Sequence, residues 1–345
     1  MMDSYPVHTF RWVNAKNEGV YVRYKIVADA GIKNFTWDEA VKMCGLDPDY
    51  AKRDLWQHIE DGGAASWTWY VQVMTDEQAA TYYVDPFDAT KRWNDKDCPL
   101  MQLGKIHINR NPENYHRDVE QAAFSPGRLV PGIEPSPDPL LQWRLVFYHD
   151  AQVYRLGVNH QQIPVNCPFR SLQYHTPNRD GAMRLDSNGG AEAHYFPNSF
   201  TVPPAATPDM ERANWTIRHI KGVLGRTSAS RSSLKPDDDY IQAREFYLQD
   251  MTEQDRQNLH TNTAFPLSRV TKPDIVVRYL ICMYKVHPTL AAGILTALQP
   301  FVAAGKDAPQ RAMASITLES IQRQADSMPH ASIPEQGYIP RPVSI

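Results

Sequence analysis

The chain has 345 residues, 42% of them hydrophobic, enough for two domains or one large one with a substantial core. Its 36 basic and 39 acidic residues give a formal charge of -3 and are spread along the sequence, which leaves no electrostatic case for nucleic acid or an anionic membrane surface. No apolar run reaches the about 18 residues needed to span a bilayer, and the opening MMDSYPVHTF lacks the basic and then apolar order of a signal peptide, so an intracellular chain without a membrane partner is expected.

HTFRWVN and GVYVRYKIVA, joined by the turn-prone AKNEG, predict a β-hairpin over residues 8 to 28. Thr36 and Glu39 have the spacing of a capping box for the helix WDEAVKMC, and DPDYAKRDLWQHIEDGG opens on Asp-Pro and stops at glycine, as a second helix would. SWTWYVQVMT alternates, with Trp67, Trp69, Val71 and Val73 on one face, and LGKIHINRN closes the strand-rich part. Residues 1–110 therefore read as an α+β portion with antiparallel pairing.

From 111 to 226 proline, asparagine and arginine interrupt any long element, as in SPGRLVPGIEPSPDPLL, QQIPVNCPFRS and NSFTVPPAATPD. So long an irregular segment is usually functional or disordered; its many apolar residues favour an ordered wrap over a partner surface. Within it LLQWRLVFYHD predicts one helix over 137–150, with Ser136 as a cap and Arg144 and Tyr148 in its second half. Residues 227–305 read as a helical domain: PDDDYIQAREFYLQDM, a Thr252/Asp255 capping pattern, KPDIVVRYLICMYKVH and PTLAAGILTAL. Residues 306–345 read as a loose tail.

The four cysteines, Cys44, Cys98, Cys167 and Cys282, form no C-x-x-C pair, so they read as free thiols rather than zinc ligands or a disulfide framework. Arg144 and Tyr148 lie four apart, on one helical face. A guanidinium beside a phenol favours the phenolate, and a phenolate is a hard anionic ligand suited to ferric iron. Taken alone, the pair fits a buried tyrosine bonded to an arginine at least as well.

Several stretches, in order, resolve that ambiguity: HTFRWVN, GIKN, RDLWQHIEDG, SWTWYVQVM, GKIHINRNPENY, FSPGRLVPGIEPSPD, RLVFYHDAQVYRLG, QIPVNCP, RDGAM and YFPNSF. Together they resemble the haem catalases over roughly residues 5 to 300, most specifically from 104 to 200. The resemblance implies an α+β fold class: a partial catalase-type antiparallel β-barrel, a long wrapping segment carrying the proximal haem helix, and a C-terminal α-helical domain. It implies a haem cofactor, ferric iron protoporphyrin, with Tyr148 as the proximal iron ligand and Arg144 holding it ionised. His8 and Asp138 match the pair that continues the charge network behind that arginine. Arg155 matches the arginine that reaches a haem propionate, and Phe124 and Pro126 match positions on the proximal haem wall. The implied activity is disproportionation of hydrogen peroxide to water and dioxygen, in a homo-oligomer, a tetramer by family, of the peroxisome or cytoplasm.

Several positions depart from the family pattern. Val146 and Phe147 replace a phenylalanine followed by a small residue, and Ala151 and Gln152 stand where many members have threonine and histidine. Val27 occupies a position that is lysine in members binding a nicotinamide cofactor, so no NADPH is expected. The family's distal histidine and asparagine belong to a portion before the equivalent of Tyr5, and none of the 12 histidines here matches that role. The alternative expectation is therefore a truncated or split catalase-like chain that binds haem, or assembles with a missing N-terminal half, without being active alone. A structural scaffold with no cofactor is the third reading.

Overall fold

A computed structural model of the chain describes residues 2–166, 180–184, 199, 239–303 and 312–327. The elements run β1 (Phe10–Val13), β2 (Gly19–Ala28), α1 (Trp37–Leu46), α2 (Tyr50–Glu60), β3 (Ala65–Met74), α3 (Asp76–Thr81), β4 (Met101–Ile108), β5 (Ile133–Pro135) and α4 (Pro139–Leu156). They continue with α5 (Ile241–Glu245), α6 (Glu253–Leu267), α7 (Pro273–Val286), α8 (Pro288–Ala303) and α9 (Leu318–Ser327). The chain divides into two compact units, one from Met1–Lys33 with Asp49–Ala229, the other from Asn34–Pro48 with Ser230–Ile345.

In the first unit the five strands form one antiparallel sheet in the order β4-β3-β2-β1-β5. Asn14 Oδ1 closes the β1–β2 turn by accepting from the backbone of Lys16 and Glu18, and Asn17 takes the left-handed position there with φ 64. Trp67, Trp69, Val71 and Val73 do share a face, but Trp69 on it is 37% exposed, while Thr68, Gln72 and Met74 on the opposite face are buried. The segment around residues 82–98 is the reason. It lies over that second face, where Tyr21, Met74, Ala79, Phe87, Trp93 and Cys98 make the core, and Gln72 Nε2 donates to the Cys98 carbonyl at 2.8 Å.

Two expectations change in this unit. The helix expected over 137–150 is α4, which begins at Pro139 and runs on to Leu156. Asp138, not Ser136, is its cap: one carboxylate oxygen accepts from the backbone N–H groups of Leu140 and Leu141 at 2.9 and 3.0 Å, and Ser136 Oγ accepts from the Asp138 N–H. Nothing in HDAQVYRL breaks a helix, so the first stop is Gly157, at φ 104. Arg144 accordingly falls in the first half of α4. The second change is β5, three residues of the irregular segment that pair with β1.

In the second unit the expected Thr36/Glu39 and Thr252/Asp255 capping boxes open α1 and α6, and α5 runs into a single π turn ending at Asp250. Val276, Leu280, Ile281, Ile294, Leu298 and Ile321 are among the residues of a continuous apolar core. The tail expected to be loose from 306 instead carries α9 within its described part. Ile321 and Ala325, one turn apart, bury against that core. Among the described residues no helix is long and apolar enough to cross a membrane.

Candidate functional site

The site begins with strand register. Phe10 of β1 pairs with Pro135 of β5, which brings His8, two residues before that pair, to Asp138, three residues after it. His8 is 3% exposed and Asp138 1%. A slip of one residue would turn His8 to the other face of the sheet.

A hydrogen-bonded chain follows. His8 Nδ1 lies 2.6 Å from Asp138 Oδ2, Arg144 Nη1 lies 2.6 Å from His8 Nε2, and Arg144 Nη2 donates to Tyr148 Oη at 2.8 Å. Because a guanidinium only donates, His8 Nε2 must accept from it and Nδ1–H must donate to the carboxylate; the imidazole is thereby neutral, in one tautomer. The guanidinium carbon also sits 4.6 Å from the Tyr148 ring centroid. Asp138 therefore starts α4 with one oxygen and orients His8 with the other, while α4 carries Arg144 and Tyr148 on successive turns of one face.

The other expected residues gather around Gln152, one turn beyond Tyr148 and 8% exposed. Gln152 Nε2 donates to the Phe124 carbonyl at 2.9 Å, and its Oε1 accepts from Arg155 Nε and Nη2. Arg155 Nη1 and Nη2 further donate to the carbonyls of Glu120 and Ala122. The segment holding Phe124 and Pro126 comes close to the helix next at Gly127, where a Cβ would stand 3.2 Å from the Leu145 carbonyl. Gln152, read from the sequence only as a departure, thus links the Phe124 segment to Arg155. Its signal was its spacing: 144, 148 and 152 repeat every four residues.

Behind α4, His160 is almost fully buried. It accepts from Arg128 Nη2 at 2.8 Å through Nε2 and donates through Nδ1 to the Gly157 carbonyl at 2.9 Å, and burial holds its pKa below the usual histidine value. On the flank of α4, Trp143 stacks on Phe147, with centroids 4.5 Å apart, and Phe147 meets Tyr148 edge-on. Among the described residues, no group of three or more His, Cys, Asp or Glu side chains could hold a metal ion, so any metal would need a ligand set of another kind. Cys44, Cys98 and Cys282 are free thiols; Cys167, most of YFPNSF and Arg179 of RDGAM lie outside the described residues.

A family model described as catalase matches residues 1–202. The chain belongs to the catalase family. A second model, described as catalase-related immune-responsive, matches residues 233–298. The catalase of Methanosarcina barkeri is 45% identical over 271 residues, 79% of this chain and 52% of that protein, and catalase-A of Dictyostelium discoideum is 42% identical over 299 residues, 86% and 58%. Among solved structures, catalase A from Saccharomyces cerevisiae superposes with a TM-score of 0.74 at 37% identity, covering 86% of this chain and 60% of that one, and a fungal catalase with 0.75 at 37%, covering 87% and 59%. The chain thus spans about half the length of the curated catalases it matches.

Proposed function

We propose that this chain carries the proximal side of a haem catalase, with Tyr148 as the iron ligand, and serves the disproportionation of hydrogen peroxide to water and dioxygen. The observation that carries the reading is the continuous chain Asp138–His8–Arg144–Tyr148. Arg144 stands at its centre and donates from both ends of its fork, through Nη1 to His8 Nε2 and through Nη2 to the phenol oxygen, the charged donor that an anionic oxygen ligand at Tyr148 would need.

The residues fit a haem. Phe124 is 83% exposed although its own carbonyl is tied to a buried glutamine, a poor position for a phenylalanine in water and a good one against the face of a macrocycle. A single tyrosinate is a sufficient protein ligand when a porphyrin supplies the other donors. Bound ferric haem would supply the exchange of electrons with peroxide; the chain's part is to hold and orient it. Tyr148 would bind the iron, Arg144 would keep the phenol oxygen charged, and His8 with Asp138 would fix the guanidinium. Phe124 and Pro126 would wall the macrocycle, and Arg155 would offer its fork to a propionate.

The same reading makes the sheet part of a catalase-type barrel completed by strands outside this one, and takes the family's tetramer and intracellular setting as the working context. The test is Tyr148→Phe, which keeps the ring and removes the donor oxygen. Purified after growth with excess haem, the variant should lack the Soret band of the parent chain while keeping its far-ultraviolet dichroism. Stoichiometric haem with an unchanged spectrum would remove Tyr148 from the site and the haem reading with it.

A further inference from the structure

Arg23 is a buried cation outside the chain of contacts that ends at Tyr148. It stands on the covered face of β2, 7% exposed, and its N–H groups are spent on neutral oxygens. Nε donates to Thr9 Oγ1 at 2.9 Å, Nη2 to the carbonyls of Pro86 and Asp88 at 3.0 and 2.9 Å, and Nη1 to the Lys91 carbonyl. Its guanidinium carbon lies 5.2 Å from the Trp93 ring centroid. None of these partners supplies a full negative charge, so the desolvation cost of the guanidinium falls on more distant carboxylates. Burial drops its pKa to about 10, and the carboxylate that opposes the drop most strongly is Asp138, ahead of Asp88 and Asp85.

Two paths therefore run from Arg23 to His8. One is geometric: Thr9, 0% exposed, is the chain neighbour of His8, and its hydroxyl is held from both sides, accepting from Arg23 and donating to the Pro86 carbonyl at 2.6 Å. The other is electrostatic: Asp138, which accepts from His8 Nδ1, is the carboxylate whose charge acts most strongly on Arg23, so the two attract each other across the His8 seat. We propose that Arg23 is a positioning residue for the Tyr148 site, seating His8 through Thr9 so that His8 presents Nε2 as an acceptor to Arg144. The proposal rests on Tyr148 being the haem ligand only for its consequence, since its first half concerns His8 in the haem-free chain.

The experiment follows both halves. In the haem-free chain labelled with ¹⁵N-histidine, the His8 ring signals should report an Nδ1–H tautomer with a strongly downfield proton. Arg23→Met, which keeps length and removes charge, should abolish that proton signal, whereas Arg23→Lys should retain it. Should Arg23→Met fail to fold, Thr9→Val decides, because it is nearly isosteric and removes only the hydroxyl; it should shift or broaden the same signal. An unchanged His8 signal in a folded Arg23→Met, or in Thr9→Val where Arg23→Met does not fold, overturns the proposal. Loaded with haem, the variant that loses the signal should bind it roughly 10-fold more weakly, the usual scale for a residue that orients a ligand, and should show an altered tyrosinate-to-iron absorption band. If the parent chain binds no haem at all, the Tyr148 reading fails while the His8 signals still decide the role of Arg23.

Discussion

Asp138 does two jobs with two oxygens, and side-chain substitution separates them. Serine is about as good a helix cap as aspartate, whereas alanine forfeits roughly 0.5–2 kcal/mol. Neither serine nor alanine reaches His8, and a buried Nδ1–H without its acceptor costs about 1–3 kcal/mol. Asp138→Ser should therefore destabilise the chain by the second amount alone and Asp138→Ala by the sum, read as urea midpoints at neutral pH. Equal midpoints for the two variants would mean that the cap contributes nothing to stability. Tyr148 and Arg144 were legible because a helical period of four states a contact outright, and the structure joins them at 2.8 Å. The partnership of His8 with Asp138 came from family likeness instead, for no local pattern links residues 130 apart. Arg23 and Thr9 gave no signal, since their role depends on which face of β2 is covered.

Elements were legible where the information is local. The capping boxes at Thr36 and Thr252 were read as they stand, because a Ser or Thr three residues before an acid is itself the hydrogen-bonded structure. β5 was not legible: three residues ending in proline have no period to read, and only pairing with β1 makes them a strand. α4 runs past Asp150 because the residues that follow hold no helix breaker until Gly157, a glycine with positive φ whose role as a stop depends on its backbone conformation. Packing between elements yields a prediction of its own at Gly293 on α8, where an added Cβ would collide with the imidazole of His260 on α6. Gly293→Ala gains about 1 kcal/mol of helix propensity against an overpacking cost of about 1–3 kcal/mol. The helical unit should lose stability on balance, with the melting temperature falling; a rise would mean that His260 has room to turn away.

At the scale of the molecule, the chain spans 52% of the Methanosarcina barkeri catalase and 58% of catalase-A of Dictyostelium discoideum. The expectation from the sequence is that none of the chain's residues does the work of the family's distal acid–base group, and general acid–base participation is typically worth about 10²–10⁴-fold. Loaded with haem, the 345-residue chain should release oxygen from peroxide slower than Saccharomyces cerevisiae catalase A by at least about that factor, as an oxygen electrode would record. Addition of an N-terminal catalase fragment should raise the rate. Turnover equal to the yeast enzyme without any fragment would mean that a residue of this chain does that proton transfer. Among the described residues β4 is at the edge of the sheet and exposes Met101 and Leu103, and an edge of that kind invites another strand. The β1–β5 pairing, finally, sets a clock on synthesis. His8 leaves the ribosome ahead of its carboxylate partner, which lies 130 residues later, and at roughly 5–20 residues per second the wait is on the order of ten seconds. Throughout that interval the nascent chain has no anchored His8 and no α4, so the contacts that run from Asp138 to Tyr148 cannot close until the strand that delivers Asp138 has been made.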